Sequence, residues 1–223
     1  MKNVLARGGI EFLAVFLGIA LSLWVDDYRE NRELENRLNE DFQKIYKEIE
    51  SNIVNINNII SKNKNHLRSE LKLLNILNRE ADYNFNESVD LINGLKWPTF
   101  FGETTAYRTS IASGRFNTSV KDSLVRSISL LYEHYFVRLT LNGDILDQMA
   151  FEFQSKYALR FNKPRFDQQN VDTLGLKNYF FSNEFHNGLL STHDVRKNYY
   201  MFRLKETKNH LETVRKIFDS TKL

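Results

Sequence analysis

Residues 34–56 read LENRLNEDFQKIYKEIESNIVNI. Leu34, Leu38, Phe42, Ile45, Ile49, Ile53 and Ile56 follow one another at steps of four, four, three, four, four and three, with charged and amide residues between them. Eleven residues then make three turns, a period of ~3.67 that is close to a straight α-helix and does not impose the left-handed supercoil of a strict heptad. Leu67, Leu71 and Leu74 carry the stripe on toward Leu77. The spacing predicts one helix reaching about Asn78, with a weak point in the asparagine-rich stretch from Asn52 to Asn65. The stripe has the width of a face in a helical bundle. A stalk that sets a spacing or transmits a signal is the other reading.

Upstream, Ile10 to Val25 is apolar except for Glu11 and Ser22, with Lys2 and Arg7 before it and Asp26-Asp27 after it. Such a run, extended by Gly8, Gly9, Trp24 and Tyr28, predicts a membrane-spanning helix. A cleaved leader fits poorly, because Leu23-Trp24-Val25-Asp26 lacks the small-x-small site that cleavage needs. A buried core helix would also be apolar all round. Ala14, Gly18 and Ser22, spaced by four, form a small-residue stripe that another membrane helix can approach closely. Glu11 falls near the same face. It either reaches water at the headgroup level or faces a bundle interior. Arg29, Arg32 and Arg37 outnumber Lys2 and Arg7, but interleaved acids follow the span directly, and the domain is expected on the outer, periplasmic side.

The expected organisation is an anchor over residues 1–28 and a helical-bundle domain over 29–223, of which 29–78 is the juxtamembrane helix. Among the 223 residues, nine glycines and two prolines favour an all-α fold with few breaks. Thirty-one basic residues against 28 acidic ones give a formal charge of +3, too weak a field to argue for nucleic acid. The absence of cysteine excludes disulfides, thiolate metal sites and cysteine nucleophiles.

Farther along, a short helix is expected around Ser88 to Lys96, stopped by Trp97-Pro98. Another runs from Glu103 to Ser113 with Gly114 as its stop. Ser119-Val120-Lys121-Asp122 resembles a capping box ahead of Leu124, Ile128, Leu131, Tyr135 and Leu139. That helix is expected to reach Tyr157, with Asn142-Gly143 as a kink. Arg160 to Leu176 reads as a loop, and Tyr179 to Leu190 as a short aromatic helix. The last helix spans Thr192 to Asp219 with Val195, Tyr199, Phe202, Leu211, Val214 and Phe218 inward. Four long passes make an antiparallel bundle.

No metal or cofactor is expected, since His66, His134, His186, His193 and His210 show no metal-ligand spacing, and no phosphate loop or nucleophile elbow is present. Arg203 and His210 are separated by six residues, as in the Arg-to-His motif of helical HEPN-type ribonucleases, though two exposed turns of a helix produce the same spacing. Arg196, Lys197, Arg203, Lys205, Lys208, Arg215 and Lys216 make the outer face of the last helix locally basic.

Gly9-Ile10-Glu11-Phe12, Leu17-Gly18-Ile19-Ala20-Leu21 and Trp24-Val25-Asp26-Asp27-Tyr28-Arg29-Glu30 resemble the N-terminus of a Bacteroidota-type bacterial family of single-pass membrane proteins without assigned function. Ser110-Ile111-Ala112-Ser113-Gly114 and the leucine-rich helix ending Tyr132-Glu133-His134-Tyr135 are similar to that family's middle region. Asp26-Asp27-Tyr28 replaces the family's amide-rich exit. The resemblance implies an inner-membrane anchor and a helical domain, and no site residues.

The reading that follows is a non-enzymatic interaction or scaffold protein, an accessory subunit of a bacterial envelope complex. Its expected partners are membrane lipid and proteins or further copies met through the Ala14, Gly18 and Ser22 stripe. An oligomeric pore with Glu11 inside, and a tethered ribonuclease using Arg203 and His210, are the alternatives.

Overall fold

A computed structural model describes residues 2–162 and 171–221; the side chains of residues 1–11 and 14 lie outside that description. Helix α1 (Lys2–Leu77) is a single unbroken rod of 76 residues, about 110 Å at 1.5 Å per residue. From Leu38 its stripe is core: Leu38, Phe42, Ile45, Ile49, Ile53 and Ile56 are all buried. Leu34 and Leu71 are exposed, so the stripe begins one turn later than its spacing predicts and is carried past Leu67 by Glu70, Leu73 and Leu74.

After a turn at residues 78–84, α2 (Phe85–Gly94) starts where Asn84 accepts a hydrogen bond from the Glu87 N–H, a side-chain N-cap. An irregular segment, residues 95–104, leads to α3 (Thr105–Ala112). Gly114 follows at φ +75°, a left-handed stop that glycine adopts without strain. A 3₁₀ turn (Arg115–Thr118) leads to α4 (Asp122–Leu130), which passes through a π-helical turn (Leu131–Phe136) into α5 (Val137–Glu152). A second π turn (Phe153–Tyr157) and a 3₁₀ turn (Ala158–Phe161) end that pass. Helix α6 (Thr173–Phe180) precedes α7 (Asn183–Asp194), which runs through a third π turn (Val195–Tyr200) into α8 (Met201–Thr221).

The contacts set the directions. α1 ascends, residues 85–118 descend beside it from Asn63 to Asp41, α4 and α5 ascend, and α7 and α8 descend from Glu70 to Tyr46. The bundle is antiparallel, but its second pass is not a long helix. It is α2, an extended stretch and α3 end to end. One buried cluster, from Leu38 to Ile60 on α1, is closed by α4, α5 and α8. A second, at the far end, joins Leu73 and Leu77 to α2, α6 and α7 through Phe153, Phe161, Phe180 and Phe185.

Several expectations need correction. The asparagine-rich stretch of α1 is not a weak point, because its amides hold the second pass. Ser119 does not form a capping box; its hydroxyl accepts from the Lys121 N–H, and α4 starts only at Asp122. Asn142-Gly143 does not kink α5. Gly143 is buried, its Cβ position 3.7 Å from the Tyr200 ring, and the helix departs from α geometry only at the π turns on either side. The aromatic stretch 179–190 is divided between α6 and α7, with Ser182 capping the second. Tyr199 and Phe202 face outward, and Arg196, Tyr200 and Leu204 take the inward positions. Of the expected loop from Arg160 to Leu176, residues 163–170 lie outside the described residues; its start belongs to the 3₁₀ turn Ala158–Phe161, and Thr173 to Leu176 form the first turn of α6, capped by Asp172.

Among the described residues, no helix is long and apolar enough to cross a membrane. Described apolar side chains begin at Phe12, and Asp26 closes the run. Within it, exposure ranges from 44% at Val25 to 70% at Phe12.

Candidate functional site

The chemistry-bearing groups of the domain gather where α1 meets the broken second pass. Residues 95–104 have no ladder of their own, so their backbone groups must find side-chain partners. Asn52 donates to the Glu103 carbonyl at 2.9 Å and accepts from the Glu103 N–H at 2.8 Å. Asn55 donates to Phe101 O at 3.0 Å, and Asn63 to Pro98 O at 2.8 Å. From the opposite side, the Tyr200 hydroxyl accepts from the Phe100 N–H at 2.7 Å, and Arg196 Nη2 donates to Lys96 O at 2.6 Å. Burial pushes the Tyr200 phenol well above its usual range.

Two acids of α1 hold the lower part of that pass. Glu48 accepts from the Ala106 N–H at 2.7 Å and from the Tyr132 hydroxyl at 2.6 Å. It supplies the first turn of α3 with the acceptor that Thr104, which makes no side-chain cap, does not. Burial, reinforced by Glu48, raises the Tyr132 pKa strongly. Tyr107 stacks on Tyr132 at 4.3 Å, and burial lifts its phenol to about 12. Asp41 receives Arg115 on both oxygens, at 2.9 and 3.2 Å, and the Ser110 hydroxyl at 3.0 Å; donating to Asp41 raises the Arg115 pKa.

The most deeply buried charges lie higher. Glu70 and Arg196 are both fully buried. Arg196 Nη2 stands 3.3 Å from Glu70 Oε1, and His193 Nδ1 stands 3.1 Å from Glu70 Oε2. The guanidinium lies over the Trp97 ring, 5.3 Å from its centre. Burial lowers the Arg196 pKa to about 10, so it stays cationic at neutral pH. His66, one turn before Glu70, has its pKa lowered by burial and then by Arg196. The third π turn aims Arg196 and Tyr200 at residues 96–100.

This arrangement clamps; it does not assemble a nucleophile with a base. Glu48 accepts from a backbone N–H and a phenol, Asp41 accepts from Ser110 and Arg115, and Glu70 faces Arg196 and His193. Among the described residues, no group of histidines and acids could hold a metal ion. A cleft of about 450 Å³ between α1 and α3 is lined by Asp41, Glu48 and Glu103 and by Lys44, Lys47 and Arg115, and these opposed charges give it no preference for either sign of ligand.

Of the residues singled out in the sequence, Glu11 and Ala14 have side chains outside the described set. Gly18 has nothing within 4 Å of the position its Cβ would take, and Ser22 is exposed. Arg203 pairs with Glu206 at 2.6 Å, whereas His210 Nε2 donates to Ser127 O at 3.0 Å and stacks on Tyr135. Seven positions along α8 separate the two by about 10 Å. Arg196, expected on the basic outer face, is in the core. On the rest of that face, Lys208 lies 3.6 Å from Glu212 and Arg215 lies 3.7 Å from Glu50. Glu48, Asn52, Asn63, Glu70 and Arg196 were not singled out as site residues. Their one local signal is that the acids and amides fall on or beside the apolar stripe of α1.

No curated protein and no solved structure matches the chain. A model of a family of unknown function matches residues 11–174, from the apolar part of α1 to the start of α6, and the chain belongs to that family, DUF6090.

Proposed function

We propose that the protein is a membrane-anchored helical interaction module, an accessory part of a bacterial envelope complex, with residues 10–25 inserted in the inner membrane and the domain on its periplasmic side. One observation carries this reading: the described apolar side chains of α1 from Phe12 to Val25 are exposed on every side. Successive helical residues turn by about 100°, so Phe12, Leu13, Val15, Phe16, Leu17, Leu21 and Val25 together point around the whole helix, and all but Val25 are more than half exposed. Leaving ten such side chains in water forfeits on the order of 10 kcal/mol of burial, comparable to the whole stability of a domain. Lipid covers them without any partner surface.

Three further features support it. Trp24 stacks on Tyr28 at 5.9 Å, an aromatic pair where the apolar run meets Asp26-Asp27, as at a membrane interface. The family match begins at Glu11 and so takes in this segment. Residues 26–37 then form an uncovered helical neck, about 20 Å from Val25 to Leu38, which holds the domain off the surface. Open space at Gly18 leaves room for a second helix along Ala14, Gly18 and Ser22.

Alkaline carbonate extraction of cell membranes tests the anchor: the full chain stays in the pellet and a variant lacking residues 2–25 is released. Because the chain contains no cysteine, Ser220→Cys tests the side. Labelling by an impermeant maleimide in intact cells supports the periplasmic placement, and labelling only after lysis refutes it.

A further inference from the structure

The geometry points to a docking groove on the domain for an apolar helical segment of a partner protein that carries a carboxylate. The groove, about 330 Å³, runs between residues 100–108 and α5, with Phe100, Phe101, Phe136, Val137 and Leu141 as apolar walls and Arg108 at its rim. Phe101 is 75% exposed and Leu141 57%. The Phe101 carbonyl is held by Asn55, which ties the backbone of this segment to α1 at the residue whose ring is outward. Val137 and Leu141, four apart, stack along one face of α5. Gly102 keeps the groove's floor in place: a Cβ there would stand 2.7 Å from the Phe136 ring.

The charge names the chemistry. Arg108 has no side-chain partner among the described residues, and no acid lines the groove, in contrast to the balanced cleft between α1 and α3. One exposed guanidinium beside an apolar trough fits a carboxylate on an apolar segment. The height names the source, and this step rests on the anchor reading. Asn52 and Asn55, which hold this segment, lie about 40 Å along α1 from Val25, several times the thickness of a headgroup layer. A lipid seated in the bilayer does not reach the groove, whereas a protein segment does. Two side chains one turn apart on α5 match one turn of a helix laid along it.

The test uses the full chain in phosphatidylcholine nanodiscs and two synthetic amphipathic helical peptides that share a leucine face and differ only in flanking glutamates or glutamines. By fluorescence anisotropy the glutamate peptide should bind about threefold tighter, the scale of one exposed ion pair. Arg108→Gln should erase that preference and keep the residual apolar affinity. Leu141→Asp should abolish binding of both peptides with the helical circular dichroism unchanged. Equal binding of the two peptides, a preference that survives Arg108→Gln, or indifference to Leu141→Asp would overturn the proposal. Displacement of the peptide by dodecanoate, itself dependent on Arg108, would overturn it in favour of a free fatty acid. A doubled mass by light scattering that Leu141→Asp halves would assign the groove to a second copy. If the chain does not enter nanodiscs, the anchor reading fails, and the same titrations run without lipid still decide whether the groove binds.

Discussion

The first third and the second half of α1 belong to one helix and live in different surroundings. From Phe12 to Val25 the rod is apolar on every side, and among the described residues nothing covers it. From Leu38 to Leu77 it is apolar on one stripe, and that stripe is the centre of the bundle. The second part also carries Asp41, Glu48, Asn52, Asn63 and Glu70 buried among its apolar residues. The first part has no such polar partners to offer to a second element. A helix that organises a fold must do more than present an apolar face; it must also satisfy the backbone of whatever crosses it.

The largest expected effect breaks the buried centre of the domain half. Glu70→Ala leaves Arg196 buried without its carboxylate and His193 without an acceptor, and should cost about 3–5 kcal/mol, read as a lower urea midpoint. Glu70→Gln keeps an acceptor and should cost less. Next comes the other half: Leu17→Arg should cost about 2.5–3.5 kcal/mol of membrane insertion, seen as release from the carbonate pellet, while the domain's urea midpoint shifts by no more than a stability change of ~0.5 kcal/mol produces. A fall in that midpoint as large as that of Glu70→Ala would mean that the two halves share one core.

How much of this was legible follows from where each interaction closes. The stripe from Leu38 to Ile56 is read from one element, and it holds in the bundle to within a turn. The inward place of Arg196 was not legible, because a charged residue inside a helix reads as surface until Glu70, 126 positions earlier, is known to face it. The second pass failed for the same reason. Its extended stretch is stabilised by Asn52, Asn55, Asn63, Tyr200 and Arg196, all distant in sequence, and no local propensity records them. The π turns move the inward face from Tyr199 and Phe202 onto Tyr200 and Leu204 without a compositional signal. The candidate residues Glu11, Ala14, Gly18 and Ser22 come from a local pattern within one apolar run; the groove beside Arg108 was not legible, because residues 100–108 and α5 meet only in the fold.

Smaller effects sharpen the contrast between amide and acid on α1. Asn52→Ala removes both bonds to Glu103 and leaves a partly buried N–H and C=O to find water, a loss of about 1–3 kcal/mol. It should also raise hydrogen exchange at residues 101–104 before the α1 amides themselves respond. If exchange instead rises first along α1, the asparagine-rich stretch is the weak element after all and the second pass is held by α8.

The smallest expected effect is a pH dependence centred on His66. Its folded pKa lies below the usual 6.5, through burial first and Arg196 second, with Glu70 opposing. The unfolded chain therefore binds more protons than the folded one in that range, and stability falls as pH drops from about 6.5 through the folded value. His66→Gln should flatten that part of the urea midpoint against pH profile and leave the profile above pH 7 unchanged. Were the wild-type slope to persist in the variant, the acid sensitivity would not belong to His66.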